Sequence, residues 1–430
     1  MRTTSIVVAL ALAGSCCVPL SYSGEHRDRS KNAKDYTSQN TVSVTRRTLD
    51  AGRLAMNISD RAYIAEYDYY AQDTLGWYIA GSLWPYSPNK NYPDNPHGQP
   101  VAYDQGPWVI GKVNGVPAAA VTEWRGTFMP GPIIDGRPAL DVRPQDAPRY
   151  HPYRIDRKSS SQDVQDSLSW PADLGAPLDA QGRPQVLGDQ MVWCIYNGAD
   201  STTWPSSWRP RTANDTARPQ FPRLPVEVHQ SIYTHRASSR SDTSLLANVV
   251  FIEWMFINKG ALPVDSCYLG LWSDMDNMGG FNHPGVDTSC GLGYCWNDVD
   301  NYHGESSAKA AGYVLLYGPV LPDPAAKALV RGQVKSGYRN LGLSSFFGHG
   351  EDGGPDAWFT PAPQHIKAAW NIARGFDKLG RPIIDSLTMK VTRFPLSGDP
   401  VTGTGWLEWA MLGSLLFKCP LALPPPTRNT

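Results

Sequence analysis

The sequence predicts a mainly β fold: an antiparallel, sandwich-like arrangement with loop-rich insertions and one short amphipathic helix near residues 363–375. Three observations carry this expectation. Gly (39), Pro (37) and Trp (15) are abundant among the 430 residues, while helix-favouring runs are few. Between residues 226 and 319, runs of strand-like alternation follow one another across tight turns. Asn114-Gly115 sits between two apolar runs, the strongest short-range hairpin signal.

In chain order, the N-terminus reads as an address. Arg2 precedes an apolar run over residues 6–13, then small residues and Cys16-Cys17. This is the pattern of a secretory signal, too short to span a bilayer. Ser21 and Ser23 fit cleavage before Gly24, so residues 1–23 are expected to be removed. Leu12-Ala13-Gly14-Ser15-Cys16 offers the alternative of a lipoprotein box, which would put a lipid anchor on Cys16. No later run is long and apolar enough for a membrane helix. Residues 24–45 are polar and of mixed charge, a flexible lead-in.

Residues 46–134 form an expected N-terminal β unit built around the Asn114-Gly115 hairpin. Ahead of the hairpin, Trp77, Tyr78, Trp84, Tyr86 and Tyr92 gather in and beside a Pro-rich loop. Such aromatics can stack on sugar rings, although most aromatics fill cores. Residues 135–225 read as a loop-rich segment with one strand at 191–196. Residues 226–408 read as a sandwich-like unit: Val226, Val228 and Ile232 share one strand face, opposite Glu227, His229 and Ser231. Residues 249–257 are apolar on both faces apart from Glu253, as in a central strand. Ile366, Ala369, Trp370 and Ala373 repeat at helical spacing, with Gly375 placed to end the helix.

The densest chemical signal lies at residues 268–301, where a strand-like run ends in a loop rich in Asp, Asn and Gly and lacking Lys and Arg. Crowded carboxylates repel one another unless solvated or neutralised, and hard oxygens on a Gly-bent loop suit calcium. The expected ligands are Asp274, Asp276, Asn277 and Asp287; the alternative is a solvated turn, because turns favour the same residues. An EF-hand register from Asp274 fits Asp276 and Gly279 but fails at Met278 and Gly285. A weaker group, Asp173, Asp179 and Asp189, reads as ordinary turn chemistry.

In an oxidising compartment some cysteines should pair. Cys290 and Cys295 bracket a tight segment and are the disulfide candidates, with Cys267 as another possible partner for either. Their spacing lacks the second pair of ligands that structural zinc needs. Of catalytic motifs there is neither a G-x-S-x-G elbow nor an H-E-x-x-H helix. His229 and His235, on the face of Glu227 and Ser231, read as a solvent face. Glu123, Glu227 and Glu253 could supply a glycosidase pair; a salt bridge accounts for Glu253 equally well. The formal net charge is −1 with no basic stripe, so nucleic acid is not an expected partner.

Several segments together resemble a large group of uncharacterised secreted proteins of Bacteroidota- and Ignavibacteria-type bacteria, which usually end in a C-terminal type IX secretion sorting domain. The resembling stretches are Trp108-Val109-Ile110-Gly111-Lys112-Val113-Asn114-Gly115, Phe128-Met129-Pro130-Gly131-Pro132, Trp170-Pro171 with Gly175-Ala176-Pro177, and Leu187-Gly188-Asp189-Gln190. Further on come Ile257-Asn258-Lys259-Gly260, Leu269-Gly270-Leu271-Trp272-Ser273-Asp274-Met275-Asp276, Gly342-Leu343-Ser344-Ser345-Phe346 and Gly398-Asp399-Pro400. The resemblance implies address and architecture, not chemistry. Residues 409–430 do not continue the pattern and read as a truncated or frame-shifted tail.

The expectation is therefore a secreted or cell-surface, β-rich protein with calcium-ordered loops. Its expected role is non-enzymatic (structure, adhesion or binding), with extracellular polysaccharide or other surface proteins as partners. A polysaccharide-acting hydrolase and a glycan-binding module are the alternatives.

Overall fold

A computed structural model describes residues 3–13, 45–64, 68–72, 78–79, 82–84, 99–122, 127–158, 161–200, 224–239, 242–275, 283–296, 310–348, 362–377, 379–407, 415–416 and 421–423. The strands used below are β1 (Thr3–Ala13), β2 (Arg46–Leu49), β3 (Met56–Ser59), β4 (Gln99–Val113), β5 (Val116–Val121), β6 (Tyr153–Asp156), β7 (Gln190–Asn197) and β8 (Val226–Thr234). They continue with β9 (Val249–Asn258), β10 (Asp265–Met275), β11 (His283–Asp287), β12 (Leu292–Trp296), β13 (Ala310–Tyr317), β14 (Val320–Val330) and β15 (Gln333–Asn340). Two helices are α1 (Ser161–Leu168) and α2 (Ala362–Ala373).

The fold is β-rich, as the sequence predicts. The larger sheet runs β6-β7-β8-β9-β1-β13-β12-β11, with Met129–Pro130 added beside β7. In the smaller sheet β4 pairs with β5 through the Asn114-Gly115 turn and with β10 on its other side. Asn114 and Gly115 both have positive φ (51° and 76°), as the two-residue hairpin requires. One hydrophobic cluster lies between the sheets. It joins Val192, Val228, Ile252 and Trp254 of the larger sheet to Val109, Leu269, Leu271 and Met275 of the smaller.

Two hydrogen-bonded polar clusters cross that core. Gln230 Oε1 accepts from the Tyr196 hydroxyl at 2.9 Å and from Trp254 Nε1 at 2.6 Å, so three neighbouring strands share one amide. The Tyr313 hydroxyl meets Ser273 Oγ at 2.7 Å and donates to Gln105 Oε1, tying β13 to β10 and β4 across the core. Buried polar groups paired in this way fix register as well as stability.

The outer faces are also covered. Ile366, Ala369 and Ala373 of α2 pack on Trp108, Ile110, Ala119, Val121 and Trp272 of the smaller sheet. Gly375 (φ 82°) ends this helix: its N–H donates to Ile372 O and that of Phe376 to Asn371 O, the paired bonds of a Schellman cap. On the larger sheet, Tyr153, Ala176, Trp193 and Ile195 form a separate cluster with Trp170 and Leu174, so part of the loop-rich segment is a lid.

Four features depart from the expectation. Ladders cross both expected unit boundaries: β4 pairs with β10, and β7 with β8. Helix α1 lies in the loop-rich segment, where Ala139–Val142 also forms a single helical turn. Helix α1 buries acids instead of apolar residues, Asp163 (3%) and Asp166 (2%) facing Arg154 and Arg47 while Val164 is exposed, so apolar periodicity could not reveal it. The hairpin β14–β15 turns at Arg331-Gly332 and is mostly exposed, with little alternation to mark it. The run read as a leader lies in the middle of the larger sheet, its backbone paired with β9 and β13. The aromatic loop at 85–98, together with Trp77 and Glu123, lies outside the described residues.

Candidate functional site

Of the residues expected on a solvent face, His235 is half-exposed and the other three are buried. Glu227 (3% exposed), His229 (8%) and Ser231 (5%) point away from the core; Gly175 of the lid lies against His229, and the Ile133 segment meets Glu227. The correction has a physical cause: alternation marks two faces but cannot say that a loop-rich segment will cover the polar one.

Three elements build this site. The β8 strand places Glu227 and His229 two residues apart on one face. Glu227 Oε1 accepts from His229 Nε2 at 3.0 Å and lies 3.2 Å from Lys259 Nζ, which the Asn258-Lys259-Gly260 turn delivers. Glu227 Oε2 accepts from the Ile133 N–H at 2.9 Å. The segment before Ile133 is itself fixed, because the Gly131 N–H donates to Ile195 O and Asn197 Nδ2 donates to Gly131 O.

Burial alone raises the Glu227 carboxyl. The His229 hydrogen bond, the Ile133 amide and the Lys259 charge outweigh it and hold the group below the ordinary carboxylate range. An ionised Glu227 makes His229 Nε2 the donor. His229 Nδ1 is buried with no hydrogen-bond partner among the described residues. The imidazole stands edge-on to Trp193, with centroids 5.9 Å apart, and its far edge is pressed against Gly175. A Cβ at Gly175 would come within 2.4 Å of His229 Cε1, and the φ of 94° also favours glycine there.

Glu253 is a separate buried carboxylate. It accepts from Arg331 Nε, supplied by the turn of β14–β15. Its register partner is Ser231, four residues along β8 from Glu227. Four residues at about 3.3 Å and one strand spacing of about 4.8 Å put the Glu227 and Glu253 Cα atoms roughly 14 Å apart, whereas the carboxyls of glycosidase pairs stand about 5–9.5 Å apart. Each is closed instead by its own cation.

Two of the expected metal ligands stand on different sheets. Asp274 is buried near the end of β10, in register with Asp104 of β4. Asp287 ends β11 in the other sheet, where its Oδ1 accepts from the Ser289 N–H (2.8 Å) and hydroxyl (2.6 Å). These bonds hold the Asp287 carboxyl below its ordinary value. Asp276 and Asn277 lie outside the described residues. Cys290 is exposed in the β11–β12 turn, whereas Cys295 is buried in the core; no disulfide joins them.

The weaker acidic group also disperses. Asp173 pairs with Arg149, Asp189 accepts from the Arg236 N–H, and Asp179 closes its own turn with Arg183. That turn occurs twice. Asp377 accepts from the Arg381 N–H and side chain, and Gly380 (φ 85°) matches Gly182 (φ 77°). Leu178↔Pro184 and Phe376↔Pro382 bridges close the two loops alike. The shared pattern Asp-x-x-Gly-Arg-Pro was open to sequence inspection, and the fifth residue explains it as a local clamp.

Sequence reasoning missed Lys259, Arg331, the Ile133 amide and Gly175 as parts of these clusters. Lys259 carried a signal, a cation in a tight turn beside a strand with an isolated acid opposite. The others depend on which loop lands on which strand. Comparison with protein-family models, curated proteins and solved structures finds no match to this chain.

Proposed function

We propose that this chain is a secreted or cell-surface protein with a non-enzymatic structural, adhesive or binding role. The observation that supports it is the closure of Glu227 and Glu253. The two carboxylates best suited by sequence to general acid–base work are buried, carried on backbone positions roughly 14 Å apart, and each neutralised by a local cation. A catalytic base needs access to a substrate proton; Glu227 spends its oxygens on His229, Lys259 and Ile133. The stapled turns point the same way, since rigid loops on a sandwich present a surface.

Calcium order in the 273–301 segment belongs to this reading and rests on the density of Asp and Asn there. Extracellular polysaccharide and other surface proteins are the proposed partners.

The test combines turnover and stability. The protein should show no hydrolysis across a panel of polysaccharides, and its Tm should rise with calcium and fall with EDTA. Hydrolysis that survives Glu227→Gln and Glu253→Gln would point to another catalytic site and defeat the non-enzymatic role. An EDTA-insensitive Tm, unchanged also in Asp274→Ala, would remove calcium alone. Retention on an immobilised glycan through residues 77–92 would favour a glycan-binding module.

A further inference from the structure

The leader-like run and the sheet make competing demands on the same residues. Residues 3–13 have the composition of a segment that is removed, yet their backbone fills a slot between β9 and β13. We propose that this slot is a strand-acceptor site: once the leader is gone, it takes an apolar, extended segment of another polypeptide chain. The proposal uses the secreted-protein reading only for the loss of the leader.

The geometry states what the slot accepts. The strand in it runs antiparallel to β9 along residues 249–257 and to β13 along residues 310–317. Its two neighbours are therefore parallel to each other. They stand about 9–10 Å apart, twice the usual strand spacing, each offering a ladder edge. The core-facing positions beside the slot are Val250, Ile252 and Trp254 on one side and Ala311, Tyr313 and Leu315 on the other. Ile6, Val8, Leu10 and Leu12 fall at those register positions, and Ser5, Val7, Ala9 and Ala11 fall between them, Val7 beside the register shift against β13. The fitting partner is thus an uncharged strand of about nine residues, with larger apolar residues at every second position.

An emptied slot would not simply close. Closure would slide β11, β12 and β13 by one strand spacing, about 4.8 Å, over the smaller sheet. Tyr313 is held across the core by Ser273 and Gln105, and the Val286 N–H donates to Leu396 O at 3.1 Å beyond the other edge. Both ties would break. Left open, two unpaired edges over an apolar floor form the site at which strand addition supplies main-chain bonds and side-chain pockets together.

The test uses the full chain and its Val8→Pro variant, which removes a ladder donor from the seated strand. The probe is a labelled peptide of residues 3–13 with lysines at its ends for solubility. The variant should bind it at least about tenfold more tightly than the full chain, whose slot is filled. A peptide carrying the same proline should lose that binding. No uptake by the variant, or equal uptake of both peptides, overturns the proposal. Should the variant not fold, hydrogen exchange on the full chain decides: slow exchange along both β9 and β13 is expected, and fast exchange along their facing edges overturns it. Failure here leaves the secreted-protein reading standing, since that is tested separately by the N-terminal mass of the exported chain.

Discussion

Glu227 Oε1 accepts a hydrogen bond from His229 Nε2 at 3.0 Å, and both buried side chains belong to one face of β8. The carboxylate therefore joins the sheet, the Lys259 turn and the Ile133 loop at a single point. Glu227→Ala would leave a buried N–H and a cation facing an empty space, at a cost of about 3 kcal/mol. Glu227→Gln keeps an acceptor for Ile133 and should cost about 1–2 kcal/mol. The sign with pH follows from the lowered carboxyl. Its contribution is present at neutral pH and is lost as pH falls through the folded value, below the reference of 4.5. Urea unfolding at pH 7 and pH 3 should show the gap between wild type and Glu227→Gln shrinking in acid.

Gly175 and Gly182 separate backbone strain from packing. Both have positive φ (94° and 77°), but a Cβ at Gly175 meets the His229 ring at 2.4 Å while one at Gly182 meets nothing within 4 Å. Gly182→Ala should cost about 1 kcal/mol, the left-handed penalty alone. Gly175→Ala carries the same penalty and must also displace the buried imidazole, so a total of about 3 kcal/mol is expected. Equal losses in denaturant unfolding would mean that the lid does not press on His229.

What could be read from the sequence follows the range of each interaction. The Asn114-Gly115 hairpin, the core face of β8, the central place of β9 and the Gly375 cap are set by residues a few positions apart, and these are found as expected. The fate of Glu227 depends on Ile133, 94 residues away, and no local pattern announces that contact. Helix α1 escaped because its buried side carries Asp163 and Asp166, whose charges Arg154 and Arg47 meet. Of the expected metal ligands, Asp274 and Asp287, close in sequence, stand on strands of different sheets, and Asp276 and Asn277 lie outside the described residues.

The Tyr313 hydroxyl offers a test of how the sheets are joined. Tyr313→Phe keeps the ring in the core and removes the hydroxyl that links Ser273 to Gln105, at a cost of about 1–3 kcal/mol. Tyr196→Phe removes a hydroxyl from Gln230, whose Oε1 keeps its bond from Trp254 Nε1, and should cost about 1 kcal/mol. Measured by urea unfolding at pH 7, Tyr313→Phe should be the more damaging of the two. The reverse order would mean that the cross-sheet tie contributes less than the tie within one sheet.

Asp60 gives a pH dependence opposite in sign to that of Glu227. It follows β3 and is 4% exposed; its Oδ2 accepts from the Thr45 N–H at 3.0 Å, and its Oδ1 is buried with no hydrogen-bond partner among the described residues. Burial pushes its carboxyl up to about 6, against the lowering effects of the Thr45 amide and Arg61. The folded protein therefore holds this proton more tightly than the unfolded chain does. Stability supported by the bound proton is full below about pH 4 and is lost as pH rises through about 6. The shift corresponds to roughly 3 kcal/mol, an upper bound for one site. Asp60→Asn keeps an acceptor for Thr45 and cannot ionise, so it should be more stable than wild type at pH 7 and closely matched to it at pH 4. Denaturant unfolding across this range reads the difference directly; a difference that does not grow with pH would show that Asp60 is already ionised in the fold.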